Sequence, residues 1–146
     1  MKILVIYGTE TGNAEMVADD LVDALSQDFE SSGHDMAHFD PATIATDDVL
    51  IVVCSTYGDG ELPNSAQPFF QHLDSQAPDL TGVRFATFGL GDSFYETFNR
   101  GSQIIADKLA TLGACEFGQR GVHDASSGEL PGEIALSWLK QTLAEL

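Results

Sequence analysis

The sequence predicts a doubly wound α/β domain, a three-layer α/β/α sandwich around a five-stranded parallel sheet in the order 2-1-3-4-5. Three observations carry this. Short β-branched or aliphatic runs alternate with amphipathic stretches, as in strands joined by helical crossovers. One run, Val49 to Cys54, is apolar throughout, as a central strand buried on both faces must be. The length of 146 residues suits one domain, expected over 1–146, which buries about two thirds of its unfolded surface without disulfides or metals.

Each element follows in chain order. Ile3 to Tyr7 is the first strand. From Asn13 to about Phe29 the apolar residues Ala14, Val17, Ala18, Leu21, Val22 and Leu25 fall at helical spacing, with Asp19, Asp20, Asp23 and Asp28 opposite. Met36 to Phe39 reads as a second, weaker strand, and Val49 to Cys54 as the third. Asn64 or Ser65 caps a helix carrying Ala66, Phe69, Phe70 and Leu73, with Pro68 tolerated in its first turn. Val83 to Leu90 is the fourth strand. Ile104, Ile105, Leu109 and Leu112 mark a helix that Gly113 ends. Cys115 to Phe117 starts a fifth strand that runs into a loop from Gly118 to Gly128. Pro131 opens a last helix with Ile134, Trp138, Leu139 and Leu143 inward.

Charge narrows the partners. Six basic and 23 acidic residues give a net charge of −17, and 15 of the acids lie between Lys2 and Arg84, where no Lys or Arg occurs. Nucleic acid and anionic membranes would repel such a chain, whereas a partner with a basic face would attract it. High solubility or a salty cytoplasm explains the same acidity. No run approaches the roughly 20 apolar residues of a membrane span, and the amino terminus lacks the pattern of a secretory signal. A cytoplasmic location is expected. Cys54 and Cys115 are expected to be small buried thiols, and His34, His38 and His72 surface residues.

In sheets of this order ligands bind beyond the carboxyl ends of the strands, where the winding reverses between the first and third. Three loops there carry chemistry. In Gly8-Thr9-Glu10-Thr11-Gly12-Asn13-Ala14-Glu15, Gly12 permits close approach, while Thr9, Thr11, Asn13 and the helix amino terminus offer neutral donors to a phosphate. The Lys and glycine spacing of a P-loop are missing, as is Gly-x-Gly-x-x-Gly. The second loop, Ser55 to Asn64, sets Tyr57 beside Gly58 and Gly60. The third, Gly89 to Asn99, sets Phe94, Tyr95 and Phe98 after Gly89 and Gly91. Together they describe a slot for a flat ring with a phosphate tail.

These motifs resemble the flavodoxins. Thr9-Glu10-Thr11-Gly12-Asn13-Ala14, Thr56-Tyr57-Gly58-Asp59-Gly60 and Gly89-Leu90-Gly91-Asp92-Ser93-Phe94-Tyr95 occur in the family's order, most like the short MioC-like flavodoxins and the FMN domains of diflavin reductases. The resemblance implies a flavodoxin-like fold and FMN as cofactor. It places Thr9, Glu10, Thr11, Gly12, Asn13 and Ala14 around the phosphate. Thr56, Tyr57, Gly58, Asp59 and Gly60 would line one flavin face, and Leu90, Gly91, Asp92, Tyr95, Phe98 and Asn99 the other, with Tyr95 stacked. Asp124 matches an acidic residue near the flavin in the diflavin relatives. A carboxylate at Glu10 suits a phosphate loop only if it points to solvent.

The function implied is electron transfer, from an NAD(P)H-dependent flavodoxin/ferredoxin-type reductase to a redox enzyme with a basic docking face. No nicotinamide-binding domain occurs within these residues, so a carrier is expected rather than an enzyme. Three alternatives come from other classes. A flavin-dependent quinone reductase would turn over NADH or NADPH by itself. A serine hydrolase would use Ser93 in Gly91-Asp92-Ser93-Phe94 with His123 and Asp124. A cofactor-free docking module would act through the acidic face. A receiver domain is excluded, because Cys54-Ser55-Thr56 stands where its acceptor Asp would be.

Overall fold

A computed structural model describes residues 2–10, 12–56, 61–92 and 99–146. The sheet is built from β1 (Lys2–Gly8), β2 (Glu30–Asp35), β3 (Val49–Ser55), β4 (Arg84–Gly91), β5 (Cys115–Glu116) and β6 (Gly121–Asp124). The order is 2-1-3-4-5, every pairing is parallel, and β6 also pairs with β4. α1 (Asn13–Leu25), α2 (Ala66–Gln76), α3 (Arg100–Thr111) and α4 (Pro131–Leu143) complete the three layers.

Alternation along the strands sorts the core into two halves. Leu50, Val52 and Phe85 face α2 and α3, where they meet Phe69, Leu73, Ile105 and Leu109. Ile3, Val5, Ile51, Val53 and Phe88 face α1 and α4, where they meet Val17, Leu21, Leu25, Ala135, Trp138 and Leu139. Each such side chain, fully buried, contributes about 1.5–3 kcal/mol. This apolar bulk holds the sheet rigid behind the loops at its carboxyl edge.

The structure corrects four of the expectations above. The second strand is Glu30–Asp35, not Met36 to Phe39. It pairs with β1, and its polar residues are half-exposed or exposed, so edge pairing rather than apolarity makes it a strand. Met36 and Phe39 are buried because the chain there drops onto the α2 and α3 face, with Met36 N–H donating to the Tyr7 carbonyl at 2.9 Å. α1 stops at Leu25, short of Phe29, which turns back with its N–H on the Leu25 carbonyl at 2.8 Å.

The fifth strand position holds two pieces, so the residues assigned to a loop from Gly118 onward include β6. Trp138 accounts for the interruption. Its Nε1–H donates to the Gln119 carbonyl at 2.8 Å, and its ring lies so close to Gly121 that a Cβ there would fall 2.5 Å from Cδ1. Finally, Cys115 is exposed on β5, whereas Cys54 is fully buried as expected. An edge position lets a thiol beside an apolar run face solvent.

Candidate functional site

Four strands end together. Gly8 lies opposite Cys54, Ser55 opposite Leu90, and Gly91 opposite Asp124 in the parallel registers. The segments that follow β1, β3, β4 and β6 therefore leave one edge of the sheet side by side, as the winding rule requires. Close packing fixes that edge. A Cβ on Gly8 would stand 2.7 Å from Ala66 Cβ and 2.9 Å from Met36 Sδ, and one on Gly101 would stand 2.4 Å from the Ser55 carbonyl oxygen.

The loop after β1 is shaped by its own hydrogen bonds. Thr9 Oγ1 accepts from Gly12 N–H at 2.8 Å, while Thr9 N–H donates to Ser65 Oγ at 2.7 Å. Gly12 sits in the left-handed region at φ 98°, which a side chain resists. α1 then begins, with Met16 N–H on the Gly12 carbonyl at 3.1 Å. The N–H groups of residues 13 to 15 lie ahead of that first helical bond, at the positive end of the helix. The Thr9 hydroxyl proton and these N–H groups form a donor set without a lysine, which suits a phosphate. Gly12 contributes the turn rather than its N–H, and Ala14, fully buried in the core, contributes only its backbone.

Glu10 does not simply point to solvent. Its Oε2 accepts from Asn64 N–H at 2.7 Å and its Oε1 from Asn64 Nδ2 at 2.9 Å. The carboxylate therefore bridges the first loop to the residues just ahead of α2. Tyr7, at the end of β1, is held above its ordinary pKa, mainly by burial and then by the carboxylates of Glu15, its hydrogen-bond partner, and Asp35 and Asp19.

In the second and third loops the described residues bind each other. Thr56 N–H donates to the Leu90 carbonyl at 2.9 Å, and Thr56 Oγ1 accepts from Gly101 N–H at 2.8 Å, which locks the start of α3 to the end of β3. Asn99 takes the left-handed conformation, φ 63°, ahead of α3, and its Oδ1 accepts from Ser102 Oγ at 2.7 Å. It covers Gly89 so closely that a Cβ there would lie 1.6 Å from Asn99 Oδ1. Leu90 turns its side chain into the core on the α1 and α4 side.

At the far end of the edge, Ser126 joins the two remaining candidates. Its hydroxyl donates to Asp92 Oδ1, and its N–H donates to Asp124 Oδ1 at 2.9 Å. Thr9, Glu10, Gly12, Asn13, Ala14, Thr56, Leu90, Gly91, Asp92, Asn99 and Asp124 thus belong to, or directly adjoin, the segments at this edge. Thr11, Tyr57, Gly58, Asp59, Gly60, Ser93, Tyr95 and Phe98 lie outside the described residues. A groove of about 660 Å³ lies elsewhere, along β6 and α4, lined by Phe88, Gly121, Ile134 and Trp138 among others. It gathers none of the phosphate donors.

The family model for flavodoxin matches residues 5–138. The chain belongs to the flavodoxin family. Among curated relatives, this flavodoxin is 42% identical over 131 residues to NADPH-dependent diflavin oxidoreductase 1 of Yarrowia lipolytica, covering 86% of this chain and 19% of the relative. It is 36% identical over 146 residues to the NADPH–cytochrome P450 reductase of Rattus norvegicus, covering 96% of this chain and 21% of the relative. The chain thus spans about a fifth of these relatives' length. Among solved structures, a single-site cysteine-to-alanine mutant of flavodoxin from Pseudomonas aeruginosa matches with a TM-score of 0.90 at 33% identity, covering 100% of this chain and 99% of that one. Oxidised flavodoxin 1 from Bacillus cereus matches with a TM-score of 0.83 at 27% identity, with the same coverage.

Flavodoxins bind FMN. The residues of this flavodoxin fit it: the loop after β1 offers hydroxyl and N–H donors around its turn, and among the described residues none beyond the chain neighbours comes within 4 Å of a Cβ built on Gly12. Sequence reasoning missed Gly101, which brings α3 against β3, and gave Ser65 and Asn64 only a capping role. Their signal was weak, because close backbone approach and bonds between distant loops leave no local pattern.

Proposed function

We propose that this flavodoxin is an electron carrier, accepting electrons from an NAD(P)H-dependent flavodoxin/ferredoxin-type reductase and delivering them to a redox enzyme with a basic docking face. The observation that carries the proposal is the shared edge of β1, β3, β4 and β6, which brings neutral phosphate donors to one end and Asp92 with Asp124 to the other. Thr9 and the start of α1 would hold the phosphate. Thr56, Gly91 and Asn99, with the loop residues implied by the family resemblance, would hold the ring. FMN when bound supplies the chemistry, since a flavin takes electrons in pairs and releases them singly. The protein's part is to orient it, to limit water and to set the field around it.

The net charge of −17 supports the partner class. Asp19, Asp20 and Asp23 are exposed along α1, so a basic partner would be steered towards this molecule and more slowly at high salt. The relatives named as NADPH-dependent reductases, of which this chain matches about a fifth, support a reductase as donor.

Visible absorption of the purified protein, before and after adding FMN and then during dithionite titration, tests the cofactor. Flavin bands that shift on binding and bleach on reduction are expected. Adding NADPH alone should leave the flavin oxidised, and adding a reductase should reduce it. Steady NADPH turnover by the isolated chain would replace the carrier with a quinone reductase. The hydrolase reading has little support, because His123 directs Nε2 to the Glu129 carbonyl at 2.6 Å.

A further inference from the structure

A carboxylate next to a phosphate loop needs a reason. At short range it repels a phosphate dianion, and a neutral residue would avoid that. Glu10 nevertheless has both oxygens engaged by Asn64, at 2.7 and 2.9 Å. The neighbouring bond, Thr9 N–H to Ser65 Oγ at 2.7 Å, ties the same two segments together, and Thr9 passes the constraint on to Gly12 through Oγ1 at 2.8 Å. The start of α2 therefore sets the shape of the loop after β1. Asn64 also follows closely on residues 57–60 in the chain, so the clamp joins the phosphate end of the site to the end of the second loop.

We propose that Glu10 is a positioning residue for the FMN phosphate: by clamping Asn64 it holds Thr9 and Gly12 in the phosphate-receiving shape before the cofactor arrives. This rests on the FMN reading above. Two effects oppose one another at this residue. Its charge weakens phosphate binding, and its two hydrogen bonds strengthen binding by preorganising the loop. The carboxylate lies in an exposed setting where solvent and salt screen its repulsion, whereas the two-point contact fixes the loop, so preorganisation dominates.

The test compares FMN with riboflavin, which lacks the phosphate, by fluorescence quenching on apo-protein. Wild type must bind FMN, and failure there overturns the cofactor reading and this proposal together. Given that binding, Glu10→Ala is expected to weaken FMN roughly tenfold while riboflavin stays within about twofold. Glu10→Gln keeps an acceptor for Asn64 N–H and sheds the charge, so it should bind FMN within about threefold of wild type, or more tightly. Asn64→Ala should lose less than Glu10→Ala, and the double variant should be no weaker than Glu10→Ala alone. In apo-protein, the Asn64 amide should exchange faster in Glu10→Ala than in wild type. If Glu10→Ala binds FMN as tightly as wild type or better, Glu10 only repels and the proposal falls. Equal losses for FMN and riboflavin would overturn it as well, because the effect would then be general.

Discussion

The two ends of the binding edge are built on opposite plans. After β1, the loop presents neutral donors, and the Glu10 carboxylate is engaged by Asn64. After β4 and β6, two carboxylates bracket a single serine, Asp92 through its hydroxyl and Asp124 through its N–H. The first plan favours an anion and the second disfavours one. On the proposed reading the phosphate, charged from the outset, would sit at the first end. A fully reduced flavin ring is anionic, so acids placed near it would oppose the last electron more than they would oppose binding of the neutral oxidised ring. On this reading one edge would separate holding the cofactor from tuning it.

The two ends also differ in tolerance, and this gives the largest predicted effect. Gly89 is pressed beneath Asn99, where a Cβ would lie 1.6 Å from Oδ1 and 2.6 Å from Ser102 Oγ. Gly89→Ala must displace Asn99 and loosen the start of α3, at a cost of about 1–3 kcal/mol. Gly12→Ala meets nothing among the described residues beyond its chain neighbours and costs about 1 kcal/mol for a left-handed φ of 98°. Chemical denaturation of the two apo-variants should therefore place Gly89→Ala below Gly12→Ala. FMN affinity should fall in both. If Gly12→Ala proves the less stable, the third loop is not the more tightly built end.

Neutralising the far end should move potentials rather than affinity. Asp92→Asn and Asp124→Asn are each expected to raise the potential for the second electron, by roughly 10–40 mV in a screened, half-exposed setting. FMN affinity should change little. Spectroelectrochemical titration of the single and double variants checks this. A flat response across all three would remove the tuning role from this end of the edge.

How much was legible beforehand follows the same division. The third strand was plain at Val49 to Cys54, because a strand buried on both faces is apolar throughout. The strand order and the three loops followed from alternation and glycine placement. β2 was misplaced because the edge strand Glu30–Asp35 has few core contacts to record in its sequence, while Met36 and Phe39 beyond it are buried. β6 was read as loop because the break before it includes Gln119, whose carbonyl accepts from Trp138 of another element. In the site, the donors of the first loop could be read locally. The Glu10–Asn64 clamp, 54 residues apart, and the packing of Gly101 on Ser55 could not, since only the tertiary fold brings those groups together.

The thiols offer the finest test of the comparison, because one lies beneath the first loop and the other stands apart from both ends. Cys54 is fully buried opposite Gly8, with Sγ 3.3 Å from a Cβ built there, and burial pushes its pKa up to about 12. Buried and protonated, it meets a disulfide reagent only when the structure opens. Cys115 is exposed on β5 and should react at once. Two phases of about equal amplitude are expected in apo-protein. Saturating FMN should slow the Cys54 phase, because a ligand bound only by the folded first loop disfavours opening of the Gly8, Met36 and Ala66 packing around that sulfur. The Cys115 phase should be unchanged. If FMN slows both phases equally, the cofactor tightens the whole sheet, and the floor of the phosphate loop is no more mobile than the rest of the fold.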